Sequence, residues 1–467
     1  MERLPLAFTV ARLEKAPHPF AVIKLDSQRT DATGMDRLTV GWRPLERSLD
    51  RPAPVQASRD ALAIGANIAI RAVVVVVTLS SLWAGPFIDF DVQRFSALSV
   101  AAGTPYRDYP VEYAPVELGL IRLIGSGDIR ATATRLVIVC FLLDLLAFAG
   151  MWSGWGRRTA ITYLWFGVPL LVLTYLRLWY LPVALSVWAF ALMRKRRPNG
   201  AGVVAALAVF AKLWPIALAP AFFAETRRRS LAFVLAGVAG GIGWLLLGGI
   251  GGVRQVLTFR SATGWEIEST VGSIVWLFGR GEPRWEAGAL RVGSSVGLTW
   301  LPAVVLGVLL CAVWWKALRS GREDLVGVPS LVAMCALLAC SPLFSLQYAG
   351  WLTPWAAIAG RDSRRIPIAS AWMIIVLTAG VTLALWQHAD SLGGLGAAML
   401  LARNGVCLFL PVWFLARGQP AVGAAEGDRY PPAPPGTSEE RGIQQGIESG
   451  GGTVSRLVRH DASLGLA

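Results

Sequence analysis

Long apolar runs recur along this chain, separated by short basic loops. The first, Ala61–Trp83, contains the unbroken valines Val73–Val77. A hydrocarbon core about 30 Å thick needs about 20 apolar residues in a helix, which satisfies its own backbone groups without water. Of the 467 residues, 54% are hydrophobic and only 16% charged, with a mean hydropathy of +0.52. A soluble domain carries roughly a quarter charged residues. The expected fold class is therefore all-α, an integral membrane bundle.

Further apolar segments fall at Ala131–Trp152, Thr159–Tyr175, Trp179–Met193, Val203–Phe223, Leu231–Gly249, Val296–Trp315, Leu325–Ser341, Gln347–Gly360, Ile366–Gln387 and Leu395–Leu415. Val203–Phe223 has basic clusters beyond both ends, Arg194–Arg197 and Arg227–Arg229, so one straight span cannot account for it. Lys212-Leu213-Trp214-Pro215 lies at its middle, where proline removes a backbone donor. The segment reads as two half-helices forming a hairpin, which raises the expectation to about twelve membrane segments. Residues 1–58 and 417–467 are polar or rich in Gly, Pro and Ser and read as disordered tails around a membrane domain over 59–416. The positive-inside rule puts both tails in the cytoplasm, with Gly85–Arg130, Ile250–Val271 and Ser341–Tyr348 on the outer face. The expected location is the plasma membrane.

The net charge of +14 and pI near 10.2 would suggest nucleic acid in a soluble protein. Here the basic residues sit in short loops beside apolar spans, where they set topology and meet anionic lipid, so no nucleic-acid partner is expected. The five cysteines all lie in apolar segments and behave as small hydrophobes. His18, His388 and His460 are too scattered for a histidine metal site.

The first outer loop is dense in acids and tyrosines: Asp89-Phe90-Asp91, then Gly103-Thr104-Pro105-Tyr106-Arg107-Asp108-Tyr109, then Val111-Glu112-Tyr113-Ala114-Pro115. Asp91–Ala102 reads as a short interfacial helix with an acid at its N-terminus, where the helix dipole favours an anion. Asp89 and Asp91 have the oxygen chemistry that Mg or Mn takes, but carboxylates two residues apart at a helix start diverge. No metal or other cofactor is expected.

This loop resembles the first outer loop of glycosyltransferase family 87, membrane enzymes of the GT-C class. Members read approximately Asp-x-x-x-Tyr, Gly-x-x-Pro-Tyr-x-Asp and Glu-Tyr-Pro-Pro. This chain has Phe95 and Ala114 at two of those places, and neither change removes a charge. Lys212-x-x-Pro215, Ile267-Glu268-Ser269, Ser341-Pro342 and Gln347-Tyr348-x-x-Trp351-x-x-Pro354 resemble later family segments in the same order, with extra residues between Pro342 and Gln347. The family's Arg-x-Asp is replaced by Arg177-Leu178-Trp179, without the acid. The resemblance covers about Ala61 to Leu415. It implies a GT-C-type bundle in which sugar, mannose by resemblance, moves from a polyprenyl-phosphate donor to a glycolipid or lipid-linked glycan on the outer face. It also implies that Asp91 is the general base of an inverting transfer.

Chemistry asks for the same groups. An acceptor hydroxyl needs a carboxylate within hydrogen-bond reach, and a departing phosphate needs cations. Arg107, Arg177, Arg260 and Lys212 are the candidate cations. Asp89, Tyr106, Glu112 and Tyr113 of the loop, with Glu268, Gln347 and Tyr348, are candidates to bind sugar or phosphate. The rival is a lipid-linked-sugar flippase or another polytopic transporter, for which a broken hairpin is also a feature. No internal repeat supports it.

Overall fold

The computed structural model describes residues 54–84, 90–171, 175–224, 227–257, 262–279, 282–286, 288–298, 300–320, 325–362, 365–387 and 393–417. Most of both tails lies outside these ranges, as do Asp89 and Arg260. The chain divides into Met1–Ala53 and Pro54–Ala467, and the described architecture belongs to the second unit.

The first helix, α1, is Pro54–Ala84 and begins inside the stretch read as a polar tail. Its 31 residues extend about 46 Å at 1.5 Å per residue, more than a bilayer core requires. The outer-loop helices α2 (Phe90–Val100) and α3 (Pro115–Ile124) follow. Pro115 starts α3, where a missing N–H costs nothing. Then come α4 (Ile129–Trp155), α5 (Arg157–Gly167), α6 (Tyr180–Arg194) and α7 (Pro198–Ala211). Asp128 caps α4 by accepting from the Arg130 N–H. After a 3-10 turn at Trp214–Leu218 come α8 (Ala219–Phe223) and the long α9 (Arg227–Leu257), kinked at Gly249.

A loop region holds β1 (Trp265–Glu266), α10 (Thr270–Leu277), β2 (Arg284–Glu286) and β3 (Ala289–Val292). The three strands make an antiparallel sheet in the order β1-β3-β2. The remaining helices are α11 (Trp300–Arg319), α12 (Val328–Cys340), α13 (Thr353–Ala359), α14 (Arg365–Gln387) and α15 (Gly393–Ala416).

Six of these helices hold a segment long and apolar enough to cross a membrane: Gln56–Ala84, Ile129–Trp155, Ser230–Leu257, Trp300–Arg319, Arg365–Leu383 and Leu395–Ala416. They describe a multi-pass membrane protein. The expectation of about twelve segments is corrected here. Several apolar runs are broken into helices of 10–17 residues, among them Tyr180–Arg194, Pro198–Ala211 and Val328–Cys340, each too short to cross alone. The expected all-helical class holds, with this three-stranded sheet of short strands as the one addition among the described residues.

The break at Lys212 is real. Its backbone is extended (φ −159°, ψ 139°), and the 3-10 turn follows at once. The chain then runs back beside α7, so that Ala205 and Ala208 share a small cavity with Pro215, Leu218 and Phe222. Phe222 packs on Phe190 of α6, ring centroids 4.4 Å apart, near the basic end of that helix. Lys212 is thus the tip of a hairpin.

Within the bundle, Arg71 faces inward. Its Nε lies 2.8 Å from Asp144 Oδ2, and both side chains are almost fully buried. Tyr163 and Tyr175 donate to the same carboxylate at 2.7 and 3.1 Å. Arg71 also donates to the Leu164 carbonyl and to Asn67 Oδ1. An ion pair supplied so fully with hydrogen bonds ties α1, α4 and α5 together.

Candidate functional site

A cavity of 390 Å³ opens where the loop after α1, the Lys212 hairpin and the turn after α12 converge. Its wall includes Asp91, Glu112, Glu117, Lys212, Glu266 and Tyr348. These come from five separated parts of the chain.

Asp91 sits in the first turn of α2, whose buried face of Val92, Phe95 and Leu98 turns it toward the bundle. Its Oδ2 lies 2.9 Å from Arg177 Nε. The same Nε donates to Gln347 Oε1 at 3.1 Å, so one guanidinium joins the acid to the turn after α12. Glu112 Oε2 lies 2.5 Å from Arg94 Nη2, one turn further along α2. Tyr113 packs edge-on against Phe95, centroids 5.4 Å apart.

Lys212 Nζ lies 3.6 Å from Glu117 Oε1 and 5.6 Å from the Tyr348 ring centroid. Tyr348 stacks on Trp351 at 4.2 Å, and Trp351 on Trp214 at 5.1 Å. A run of stacked aromatic rings therefore adjoins the Lys212–Glu117 pair in the cavity lining. Burial pushes the Glu117 carboxyl above the usual carboxylate range, and Lys212 opposes that rise.

Not every candidate reaches the cavity. Tyr106 is 4% exposed with a positive φ of 67°. Its hydroxyl donates to the Tyr113 carbonyl at 2.7 Å, and its carbonyl accepts from Gln255 Nε2 of α9 at 2.8 Å. It anchors the loop. Arg107 donates to the Leu246 carbonyl at 2.7 Å, away from the cavity wall. Glu268 is turned away too, accepting from the Leu346 N–H at 2.7 Å. Gln347 and Tyr348 line the wall.

Three groups with a part in this arrangement stand outside the candidate list drawn from sequence. Glu117 is 3% exposed on the apolar face of α3 with Leu118, Ile121 and Ile124. A lone acid on such a face was the available signal. Glu266 is 4% exposed, and its Oε1 accepts from Ser345 Oγ at 2.7 Å. Arg403, in α15, donates to the carbonyls of Glu268 and Phe344 with its guanidinium 3.8 Å over the Phe344 ring. Arg403 is the one charged residue in the apolar segment Leu395–Leu415, and that was the available signal.

Among the described residues no three His, Cys, Asp or Glu side chains are grouped to hold a metal ion. Compared with known proteins, the chain matches no family model, no curated protein and no solved structure.

Proposed function

We propose that this protein is an integral-membrane glycosyltransferase of the GT-C type that uses a polyprenyl-phosphate sugar. The observation that carries the reading is the meeting of Asp91, from the first loop, with Lys212, from the hairpin tip, in one cavity. One supplies a base and the other a cation, and both line a space large enough for a sugar.

In this reaction the acceptor hydroxyl gives its proton to the Asp91 carboxylate. The freed oxygen pair attacks the anomeric carbon, and the bond from that carbon to the phosphate oxygen breaks. The leaving pair stays on the polyprenyl phosphate, whose charge Lys212 and Arg177 stabilise. Attack opposite the leaving group inverts the anomeric centre. The aromatic wall of Tyr348, Trp351 and Trp214 suits the apolar face of a sugar or the first isoprene units. The donor is read as a mannosyl carrier and the acceptor as a glycolipid or lipid-linked glycan. The cavity is assigned to the outer face of the plasma membrane, with both termini in the cytoplasm.

The test is transfer from radiolabelled polyprenyl-phosphate mannose to membrane glycolipids, by wild type and Asp91→Asn at equal expression. Transfer lost in the variant supports the enzyme and its base. Transfer unchanged moves the base elsewhere, Glu112 being next. The ion pair at the hairpin tip also fits a carrier for lipid-linked sugar. That reading expects movement of intact labelled lipid across vesicles with no new covalent product.

A further inference from the structure

Three of the four carboxylates in the cavity wall have a cation beside them: Asp91 has Arg177, Glu112 has Arg94 and Glu117 has Lys212. Glu266 has no ion pair among the described residues. Its Oε1 takes the Ser345 hydroxyl, and Ser345 also lines the wall. The Phe344 N–H is close enough to favour the charged carboxyl, but Oε2 is buried and no donor reaches hydrogen-bond geometry with it. Buried carboxylate oxygens are normally satisfied, so an unused one at a cavity wall marks an incomplete set of partners.

The backbone that carries this carboxyl group is held firmly. Glu266 lies in β1, opposite Arg291 of β3. Ser269 Oγ donates to the Glu266 carbonyl at 2.7 Å, and a Cβ on Gly272 would stand 1.9 Å from that oxygen. Arg403 and Asn404 both donate to the carbonyl of Glu268, two residues on. A backbone fixed from three stretches of chain leaves the side chain little freedom to find a partner of its own.

The missing donor is best supplied by a neutral hydroxyl. Arg291 and Arg403 already place positive charge around Glu266, which disfavours a further cation. The stacked Tyr348, Trp351 and Trp214 in the same cavity offer the apolar surface on which a sugar lays its C–H face. We propose that Glu266 reads one hydroxyl of a sugar held in this cavity, and so sets which sugar is accepted. This inference rests on the glycosyltransferase reading. The hydroxyl can belong to the transferred sugar or to the acceptor sugar, and the two are separable.

The test uses the full-length protein in detergent, with short-chain polyprenyl-phosphate mannose and its singly deoxygenated analogues, and separately octyl α-mannoside with its own deoxy series. Binding is read by quenching of tryptophan fluorescence, alongside transfer. Wild type is expected to bind one deoxy analogue about tenfold more weakly than the parent sugar. Glu266→Gln, which exchanges the carboxyl for a weaker amide acceptor, is expected to narrow that gap. The series in which the gap appears identifies the source of the hydroxyl. Should Glu266→Gln not fold, Ser345→Ala loosens the same carboxyl and is expected to narrow the gap. Transfer by wild type with no analogue discriminated, or with a gap unchanged in both variants, overturns the Glu266 assignment and leaves the enzyme reading standing. Absence of both transfer and sugar binding overturns the enzyme reading and the inference with it.

Discussion

Arg177 Nε lies 2.9 Å from Asp91 Oδ2 and within 3.1 Å of Gln347 Oε1, so the acid of the first loop is aimed from the turn before α6. If Asp91 is the base, Asp91→Asn should cost about 10²- to 10⁴-fold in turnover. Arg177→Lys keeps the charge but not the planar fork, and should cost less than the Asp91 change. Radiolabel transfer at saturating donor compares them. A larger loss from Arg177→Lys would shift the central role to the guanidinium.

Lys212 and Glu117 form a pair at 3.6 Å, with the lysine about a quarter exposed and the acid almost wholly buried. Lys212→Met strands the acid and should destabilise the protein by about 2–3 kcal/mol. The double variant Lys212→Met with Glu117→Leu should regain most of that stability without regaining transfer. Thermal unfolding in detergent and transfer, measured together, separate the two roles. Recovery of both would reduce the pair to scaffolding.

Asp144→Ala leaves Arg71 buried without its counter-charge and should cost about 3–5 kcal/mol. Replacing both by leucine removes the stranded charge but leaves the Tyr163 and Tyr175 hydroxyls without their acceptor, so it should recover only part of that loss, while transfer by the folded protein should be unchanged because neither residue lines the cavity. Loss of function in a stable double variant would favour a charge-coupled carrier over an enzyme.

Stability should fall as pH rises. Burial, and next the neighbouring Glu266, push the partly buried Glu268 carboxyl up to about 8. Burial raises Glu266 as well. An unfolded glutamate titrates near about 4.3. The folded state therefore holds these protons more tightly. The contribution is complete below about 4.3 and is lost as pH climbs toward about 8. Melting temperature followed across that window should decline in wild type and decline less in Glu268→Gln. A profile rising with pH would contradict the assignment.

What the sequence disclosed was mostly local. The hairpin at Lys212 was legible because Pro215 and two basic clusters stand within one short stretch. The short helix that Asp91 opens was legible because an acid at a helix start after an apolar run is a compact pattern, whereas the choice of Asp91 over a simple cap came from the family resemblance. The number of spans was not, because composition registers apolar runs and says little about where they break into short helices. Strands of two to four residues are too short for any periodicity to register. Tyr106 and Arg107 belonged to the right motif yet turn to α9, a partner found only in three dimensions. Glu117 stood out as a lone acid on an apolar face and Arg403 as the one charge in an apolar segment, but their partners are found only through contacts across the fold.

Gly248 and Gly252 carry no functional group, yet they set where the first loop rests. A methyl group on either would meet the Tyr106 side chain, at 2.6 and 3.0 Å. Tyr106 is held by hydrogen bonds to Gln255 and Tyr113, so it has nowhere to retreat. The position of the loop's acids is therefore dictated by two hydrogen atoms on a helix far downstream. An alanine at Gly248 would act as a wedge under the whole loop, disturbing the cavity from a place that does not line it.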